Sequence, residues 1–183
     1  RIYEIYLRYV SEKDIHVYSI DECFIDITPY LKLYNKKPKE FAQMLMDAVM
    51  EETNITATAG IGTNLYLAKI ALDIISKHVP DNIGMLTEKT YQKYLWHHQP
   101  LTDFWHVGTG TANRLAKLGI QDMYGITMCP KEILYKIFGI NAEYIIDHAW
   151  GREPTTIAQI KAYAPSSNSI SNSQVLFEDY NYQ

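Results

Sequence analysis

Tyr18-Ser19-Ile20-Asp21-Glu22-Cys23-Phe24 is a strand-like run interrupted by two adjacent carboxylates. In a regular strand, neighbouring side chains point to opposite faces, so Asp21 and Glu22 would not serve one site. At the tip of a hairpin this alternation breaks, and both carboxylates can then face one ion. We therefore predict strands over 15–20 and 23–28, joined by a turn that carries the pair.

The chemistry of this pair suits a divalent metal. Two-metal catalysis uses acidic ligands to hold two ions about 3.5–4 Å apart, and Mg²⁺ prefers oxygen donors completed by substrate phosphates. An ordinary acidic turn explains the same two residues, and on their spacing alone it is the simpler explanation. The metal hypothesis therefore needs support from elsewhere in the chain.

The first part of the chain alternates strands and helices. Apolar residues recur at helical spacing from 41 to 49, and Pro38 suits a first helical turn. Beyond the carboxylate hairpin, the predicted elements are the end of a helix at 1–9, a helix at 38–53, a strand at 55–61 and a helix at 65–77. This order indicates a sheet covered by helices.

A turn cluster at 80–84 marks a predicted boundary to a helical second part. Short helices are expected at about 88–95, 100–105, 111–118, 130–137 and 141–150, with helix C-caps at Gly119, Gly139 and Gly151. The predicted organisation is an α/β layer at 1–78, a helical part at 79–162, and a Ser/Asn-rich linker at 163–183 with a strand at 174–177.

Lys69 lies over one turn into the helix that follows the glycine-rich segment 60–64. A glycine-rich strand-to-helix turn can bring backbone N–H groups to a phosphate, and a lysine there supplies a point charge for a triphosphate. The segment is neither a Rossmann fingerprint nor a P-loop, because Leu65 replaces the third glycine and no Gly-Lys-Ser/Thr follows. A surface pair between Lys69 and Asp73, four residues on, fits the sequence equally well.

Gly108-Thr109-Gly110 follows Val107 between two predicted helices. The N–H groups of such a turn can hold a DNA backbone phosphate without recognising a base sequence, and Arg114 and Lys117 add positive charge nearby. A plain turn between two helices accounts for the same residues, so the motif alone leaves both explanations open.

Composition limits the classes of function. The net charge of −4 argues against a strongly basic nucleic-acid binder, so any DNA contact depends on local motifs. Apolar residues make up 47% of the chain, which is enough for a core. No apolar run approaches the roughly 18 residues that span a bilayer. The two cysteines, Cys23 and Cys129, are too few for a disulfide framework and fit a reducing cytoplasm.

Together these features resemble the Y-family (UmuC/DinB-type) translesion DNA polymerases. Residues 18–28 resemble the family's second palm motif, 60–71 its palm strand–helix motif, and 107–118 the helix–hairpin–helix of its thumb. The tyrosine-rich start and the Ser/Asn linker favour the UmuC-like branch. The resemblance implies an α+β fold with three parts: an incomplete palm-type α/β layer over 1–78, a small all-helical thumb with a helix–hairpin–helix over 79–162, and a linker with the start of a little-finger domain over 163–183.

The resemblance also implies residue roles, cofactors and partners. The assigned residues are the catalytic metal ligands Asp21 and Glu22, the nucleotide-binding Lys69, and the DNA-binding Gly108, Thr109, Gly110 and Arg114. The implied cofactor is Mg²⁺, with two ions in the complete protein. The implied partners are primer–template DNA and a deoxynucleoside triphosphate. A contact with the replication sliding clamp would lie outside this chain, and no membrane partner is expected.

The sequence departs from the family at its start. The family's first motif, an N-terminal strand with a metal-binding Asp followed by paired aromatics, is missing, as are the fingers and most of the little finger. We therefore expect a palm-plus-thumb piece of a bacterial polymerase of DNA repair and SOS mutagenesis. With two of three metal carboxylates, this piece is expected to be inactive alone.

Three other functions stay open on the sequence. A non-enzymatic helix–hairpin–helix module would bind duplex DNA in a salt-sensitive way that is indifferent to Asp21 and Glu22. A nucleotide cyclase also places carboxylates on a hairpin, but the thumb-like second part argues against it. A degenerate, inactive polymerase relative is disfavoured by the intact carboxylate pair.

Overall fold

Four short strands form two separate two-stranded sheets within residues 1–165, the part of the chain that the computed structural model describes. Strands β1 (Ile15–Val17) and β2 (Cys23–Ile25) are antiparallel, with Ile15 opposite Ile25. The predicted hairpin is therefore present, with strands that are shorter than expected. Strands β3 (Ala59–Gly62) and β4 (Ile83–Leu86) are parallel.

Helices account for most of the remaining described residues. In the first part they are α1 (Ile2–Tyr6), α2 (Thr28–Leu33), α3 (Pro38–Thr53) and α4 (Leu65–Ile70), and α4 continues as a π-turn (Ala71–Ile75) and a 3-10 turn (Ser76–His78). In the second part they are α5 (Glu88–Leu95), α6 (Thr109–Ala116), α7 (Met123–Met128), α8 (Lys131–Phe138), α9 (Ala142–Trp150) and α10 (Ile157–Ala162). The mixed α+β class is thus confirmed.

The glycines of β3 and β4 allow helix α4 and its π-turn to lie directly on the parallel sheet. A Cβ atom added to Gly60 would lie 2.1 Å from the carbonyl oxygen of Ala68, and one added to Gly84 would lie 2.1 Å from that of Ala71. Only glycine permits such an approach of two backbones. The glycine-rich segment is therefore explained by packing, whether or not it also contacts a phosphate.

The structure corrects several boundaries. Ile83 and Gly84, expected in a turn, begin strand β4, so the sheet of the first part extends past the predicted boundary at 78. The helix expected over 65–77 is α-helical only to Ile70. A short 3-10 turn, Leu101–Asp103, stands where a helix was expected at 100–105. Helices α2, α7 and α10 were not predicted.

The three predicted C-cap glycines adopt the left-handed backbone that L-residues disfavour. Gly119, Gly139 and Gly151 have φ angles of +77°, +60° and +77°. Gly139 ends α8 and Gly151 ends α9, while Gly119 follows α6 after a short turn. These caps are confirmed, and their physical reason is the absence of a Cβ atom.

One apolar cluster runs through both predicted parts. Tyr66, Leu67 and Ile70 of α4 belong to the same cluster of buried side chains as Leu115 of α6 and Leu134 of α8. The cluster therefore fixes the helical part against the α4 side of the first part. Smaller clusters pack α1 and the carboxylate hairpin against α3.

None of the helices in residues 1–165 is long and apolar enough to cross a membrane. The rest of the linker expected at 163–183, from residue 166 on, and the strand expected at 174–177 lie outside the described residues.

Candidate metal and nucleotide site

The predicted carboxylate pair lies in the turn of the β1–β2 hairpin. The backbone N–H groups of Tyr18 and Ser19 both donate to the carbonyl oxygen of Glu22, at 2.9 and 3.1 Å. The Ser19 hydroxyl donates to Asp21 Oδ1 at 2.9 Å. Asp21 is exposed, and Ile20 beside it is fully exposed. The turn thus presents Asp21 to solvent while its own backbone fixes the position of Glu22.

Lys69 connects the hairpin turn to α4, the helix that lies on the parallel β3–β4 sheet. Its Nζ donates to both carboxylate oxygens of Glu22, each at 2.8 Å, and to Asp73 Oδ1 at 3.0 Å. The Lys69 side chain is only 10% exposed. Burial lowers the pKa of this amine, but hydrogen bonds and opposite charge from Glu22 and Asp73 outweigh burial, so the pKa is raised. Lys69 is therefore a fully charged cation.

Both sequence hypotheses for Lys69 describe part of this arrangement. The i, i+4 pair with Asp73 is present. The structure also brings Lys69 to Glu22, 47 residues earlier in the chain. The predicted nucleotide contact and the predicted metal ligand thus share one site, which neither motif alone required.

A second link to the hairpin was missed by sequence reasoning. The Trp105 indole N–H donates to the Tyr18 hydroxyl at 2.9 Å, and the two rings meet edge to face at 5.6 Å. The ring of Phe24 lies 5.8 Å from that of Trp105, and Lys69 Nζ lies 5.8 Å from the centre of the Tyr18 ring. The aromatic character of these residues was the only signal in the sequence, and it does not reveal which rings meet.

The donor set of the turn fits a hard divalent cation. Asp21 and Glu22 supply carboxylate oxygens, which Mg²⁺ prefers. Within residues 1–165, no lysine, arginine or histidine lies within salt-bridge distance of Asp21, whereas Lys69 occupies both oxygens of Glu22. The same residues contain no group of three or more His, Cys, Asp or Glu side chains arranged to hold a metal. The turn therefore offers two ligands of the kind that the metal hypothesis needs.

The predicted DNA-binding residues lie apart from the carboxylate turn, at the start of α6. Gly108 is the N-cap residue, and Thr109 and Gly110 begin the helix, all three exposed. Arg114 donates from Nε to the Gly110 carbonyl at 3.3 Å and lies over the Phe138 ring. The preceding element is the 3-10 turn Leu101–Asp103, so the first helix of the expected motif is reduced to one turn.

Nothing inside the fold requires glycine at 108 or 110. A Cβ atom added to either residue would meet no other heavy atom within 4 Å, and neither has a positive φ. This contrasts with Gly60 and Gly84, where the backbone of α4 and of the π-turn that follows it leaves no room. The two open glycines therefore leave the N-terminus of α6 accessible to a closely approaching partner.

Residues 1–73 match the model of the impB/mucB/samB family. The chain is 31% identical over 179 residues to the putative UV-damage repair protein UvrX of Bacillus subtilis, covering 98% of this chain and 41% of UvrX. It is 34% identical over 131 residues to DNA polymerase IV 2 of the same organism, covering 72% of this chain and 31% of that protein.

A solved structure has a similar fold over most of this chain. The post-insertion binary complex of Dbh DNA polymerase superposes with a TM-score of 0.71 at 28% identity, over 86% of this chain and 45% of that chain. The chain therefore spans about two fifths of the length of UvrX and less than half of Dbh.

Proposed function

Because the chain belongs to the Y-family of DNA polymerases, we propose that it forms the palm and thumb of a translesion DNA polymerase. Such an enzyme adds nucleotides opposite damaged template by two-metal nucleotidyl transfer. The observation that carries this proposal is the contact of Lys69 with Glu22, because it joins a candidate metal ligand to a candidate triphosphate ligand across 47 residues.

Asp21 and Glu22 are the residues that would hold Mg²⁺. When bound, two such ions activate the primer 3′-hydroxyl and stabilise the charge on the transferred phosphate and its leaving group. Asp21 is exposed and has its hydroxyl partner Ser19 beside it. Glu22 is held by Lys69 and is therefore not free in the described state.

Lys69 has a second role in this proposal, because a triphosphate carries more negative charge than a single carboxylate. We expect the Lys69 amine to turn from Glu22 to an incoming triphosphate while it keeps its hydrogen bond to Asp73. This exchange would free both oxygens of Glu22 as the nucleotide arrives. The ion pair thus keeps the site neutralised until substrate binds.

The N-terminus of α6 is the proposed contact for primer–template DNA. Backbone N–H groups at Gly108, Thr109 and Gly110 have no partner in the first turn of the helix, as at any helix start, and they can donate hydrogen bonds to the oxygens of a DNA backbone phosphate. Arg114 adds a cation one turn later. This contact is independent of base sequence and compatible with a net charge of −4.

Primer extension tests the proposal. We expect the chain alone not to extend a primer, and a chimaera that adds the remaining segments of UvrX to do so with Mg²⁺. Asp21→Ala or Glu22→Ala should each reduce the extension rate by at least about 100-fold, because each removes a metal ligand. Asp47→Ala, at an exposed carboxylate of α3, is the matched control.

The same experiment separates the competing function. A non-enzymatic DNA-binding module would bind duplex DNA in a salt-dependent way, and the chimaera would extend no primer or would be unaffected by both carboxylate variants. Extension that survives both Asp21→Ala and Glu22→Ala would contradict the proposed metal site.

A further inference from the structure

The tip of the carboxylate hairpin, residues 18–22, lies outside the core. None of its side chains is buried, and strands β1 and β2 beside it have three residues each. Within residues 1–165, side chains of the tip form hydrogen bonds to other elements at two places. Glu22 accepts from Lys69, and the Tyr18 hydroxyl accepts from the Trp105 indole N–H. Because so short a hairpin is marginal in water, these two links determine where the tip lies.

The two links respond differently to a nucleotide. The link through Lys69 is an ion pair, and in the proposed function the Lys69 amine turns from Glu22 to an incoming triphosphate. Glu22 then loses this support at the moment when it must bind metal. The link between Trp105 and Tyr18 joins two uncharged side chains, so the arrival of negative charge does not compete for it. It is therefore the link that can hold the tip throughout the reaction.

Tyr18 is placed to pass this support on to Glu22. Its backbone N–H donates to the Glu22 carbonyl oxygen at 2.9 Å, which closes the turn. Its hydroxyl accepts the Trp105 N–H at 2.9 Å, and the two rings meet edge to face with centres 5.6 Å apart. This is a favourable geometry for two aromatic rings. A fixed Tyr18 therefore fixes the backbone of a residue that carries one of the two proposed metal ligands.

The segment that carries Trp105 is itself held in place. The flanking Phe104 and Val107 are buried, and the Val107 amide donates to the Phe104 carbonyl at 3.0 Å. The Trp105 ring lies at 13° to the ring of His148 in α9, with centres 6.3 Å apart. His106 has a φ of +67°, a backbone that is uncommon for residues other than glycine and that costs free energy. The packing around Trp105 thus overrides the local preference of the residue beside it.

We propose that Trp105 is a positioning residue of the metal site. Its hydrogen bond to Tyr18 holds the turn in the geometry in which Asp21 and Glu22 bind metal. Trp105 acts through Tyr18 and touches neither metal nor nucleotide, as outer partners of a metal site orient its ligands. Without the bond, the turn has this geometry for a smaller fraction of the time, and the apparent metal affinity falls by that fraction. The role rests on the proposed metal site.

The affinity of the intact chain for Mn²⁺ tests this role. Electron paramagnetic resonance of the free ion measures it in the wild-type chain, in Trp105→Phe, in Tyr18→Phe and in the double variant. Each single substitution keeps an aromatic ring and removes one partner of the hydrogen bond. We expect each to weaken Mn²⁺ binding about three- to tenfold, the range that the net effect of one hydrogen bond gives. The double variant should be no weaker than the weaker single variant, because both changes remove the same bond.

Trp96→Phe is the matched control. The Trp96 indole N–H donates to the Ala149 carbonyl at 2.8 Å, and the Trp96 ring packs on that of Trp150. Its substitution removes an indole hydrogen bond of the same kind within the helical part. We expect it to lower the free energy of unfolding in urea and to change the Mn²⁺ affinity by less than about twofold. A general loosening of the fold would weaken Mn²⁺ binding in both tryptophan variants and would overturn the positioning role.

Hydrogen exchange without metal provides a second readout. The amides of Tyr18 and Ser19 both donate to the Glu22 carbonyl, and in Trp105→Phe we expect them to exchange about three- to tenfold faster. Unchanged exchange at both amides, an unchanged Mn²⁺ affinity or additive losses in the double variant would each refute the positioning role and leave the metal site standing. A wild-type chain that bound no Mn²⁺ at the turn would refute the metal site and this role with it.

Discussion

Lys69 compensates two carboxylates from different elements, Glu22 of the hairpin turn and Asp73 of the π-turn. Its amine is largely buried, and both carboxylates are partly buried. Among residues 1–165, Lys69 is therefore the one cation that balances the charge of the candidate site. Removal of the Lys69 charge should therefore change the affinities for a metal ion and for a nucleotide in opposite directions.

We predict that Lys69→Met strengthens Mn²⁺ binding and weakens deoxynucleoside triphosphate binding. Removing a cation beside Glu22 increases the affinity for a metal ion, and removing it from the path of the triphosphate lowers the affinity for phosphate; each change should be about three- to tenfold. Calorimetric titration of the chain with each ligand measures both.

Lys77→Met, at an exposed position in the same segment, should leave both affinities unchanged. Lys69→Arg should retain much of the triphosphate affinity because it keeps the charge. If Lys69→Met lowered both affinities together, the amine would be a structural support and not a nucleotide ligand.

For single residues, the sequence predicts which side chains can bind a metal or a phosphate better than it predicts which side chains touch each other. The spacing of Lys69 and Asp73 predicts their pairing, because residues four apart share a helix face. The contact of Lys69 with Glu22 depends on how α4 lies on the sheet, which no local pattern specifies. The same holds for Trp105 and Tyr18, 87 residues apart.

At the scale of elements, glycines have two different explanations. Gly84 is required because α4 and its π-turn lie against the backbone of β4, whereas Gly110 lies in open space at the start of α6. Substitution by alanine separates these cases, since it adds a single methyl group in each.

We predict that Gly84→Ala destabilises the fold by about 3 kcal/mol or more, because the new Cβ would lie 2.1 Å from a backbone oxygen. Gly110→Ala should leave stability unchanged or raise it by about 0.5–1 kcal/mol, since alanine favours a helix. Urea unfolding measures both. Equal destabilisation by the two substitutions would show that α4 and its π-turn do not lie directly against the backbone of β4.

The length of an element determined how well it was predicted. Helix α3 was predicted almost to the residue, because sixteen residues show the apolar repeat over several turns. Helices α2, α7 and α10 have six residues each, under two turns, too few to establish a period. Strand β4 was missed because Pro80, Asn82 and Gly84 suggest a turn, while Gly84 is there for packing.

At the scale of the whole molecule, buried polar groups join the two parts. His148 of α9 stacks on Tyr66 of α4 with ring centres 4.0 Å apart, and its Nε2 lies 3.1 Å from Glu153. The Tyr91 hydroxyl donates to the His148 carbonyl. A break in composition near residue 80 suggested separate parts, but composition does not reveal that one apolar core crosses the break.

We predict that stability decreases as pH falls below about 6.5, the ordinary histidine value. Burial lowers the pKa of His148, with Glu153 opposing. The unfolded chain then binds more protons than the folded one, so stability rises with pH in this range. The free energy of unfolding should therefore fall measurably between pH 7.5 and 5.5.

His148→Gln should flatten this dependence, as measured by urea unfolding at several pH values. The pKa of Glu153 is lowered although burial alone would raise it, because Thr155 and His148 donate hydrogen bonds to its carboxylate. Its contribution is therefore lost only below its ordinary value of about 4.3, outside this window. If the free energy of unfolding changed with pH in the variant as it does in the wild-type chain, groups other than His148 would be responsible.

We propose above that the turn with Asp21 and Glu22 binds the catalytic metal. Mn²⁺ added to the isotopically labelled chain tests it most directly, because a bound paramagnetic ion broadens nearby amide resonances. We expect the amides of Ser19, Ile20, Asp21, Glu22 and Cys23 to broaden first, and we expect the double variant Asp21→Asn, Glu22→Gln to abolish the effect. Broadening that begins elsewhere in the chain, or that persists unchanged in the double variant, would show that Asp21 and Glu22 do not hold the ion.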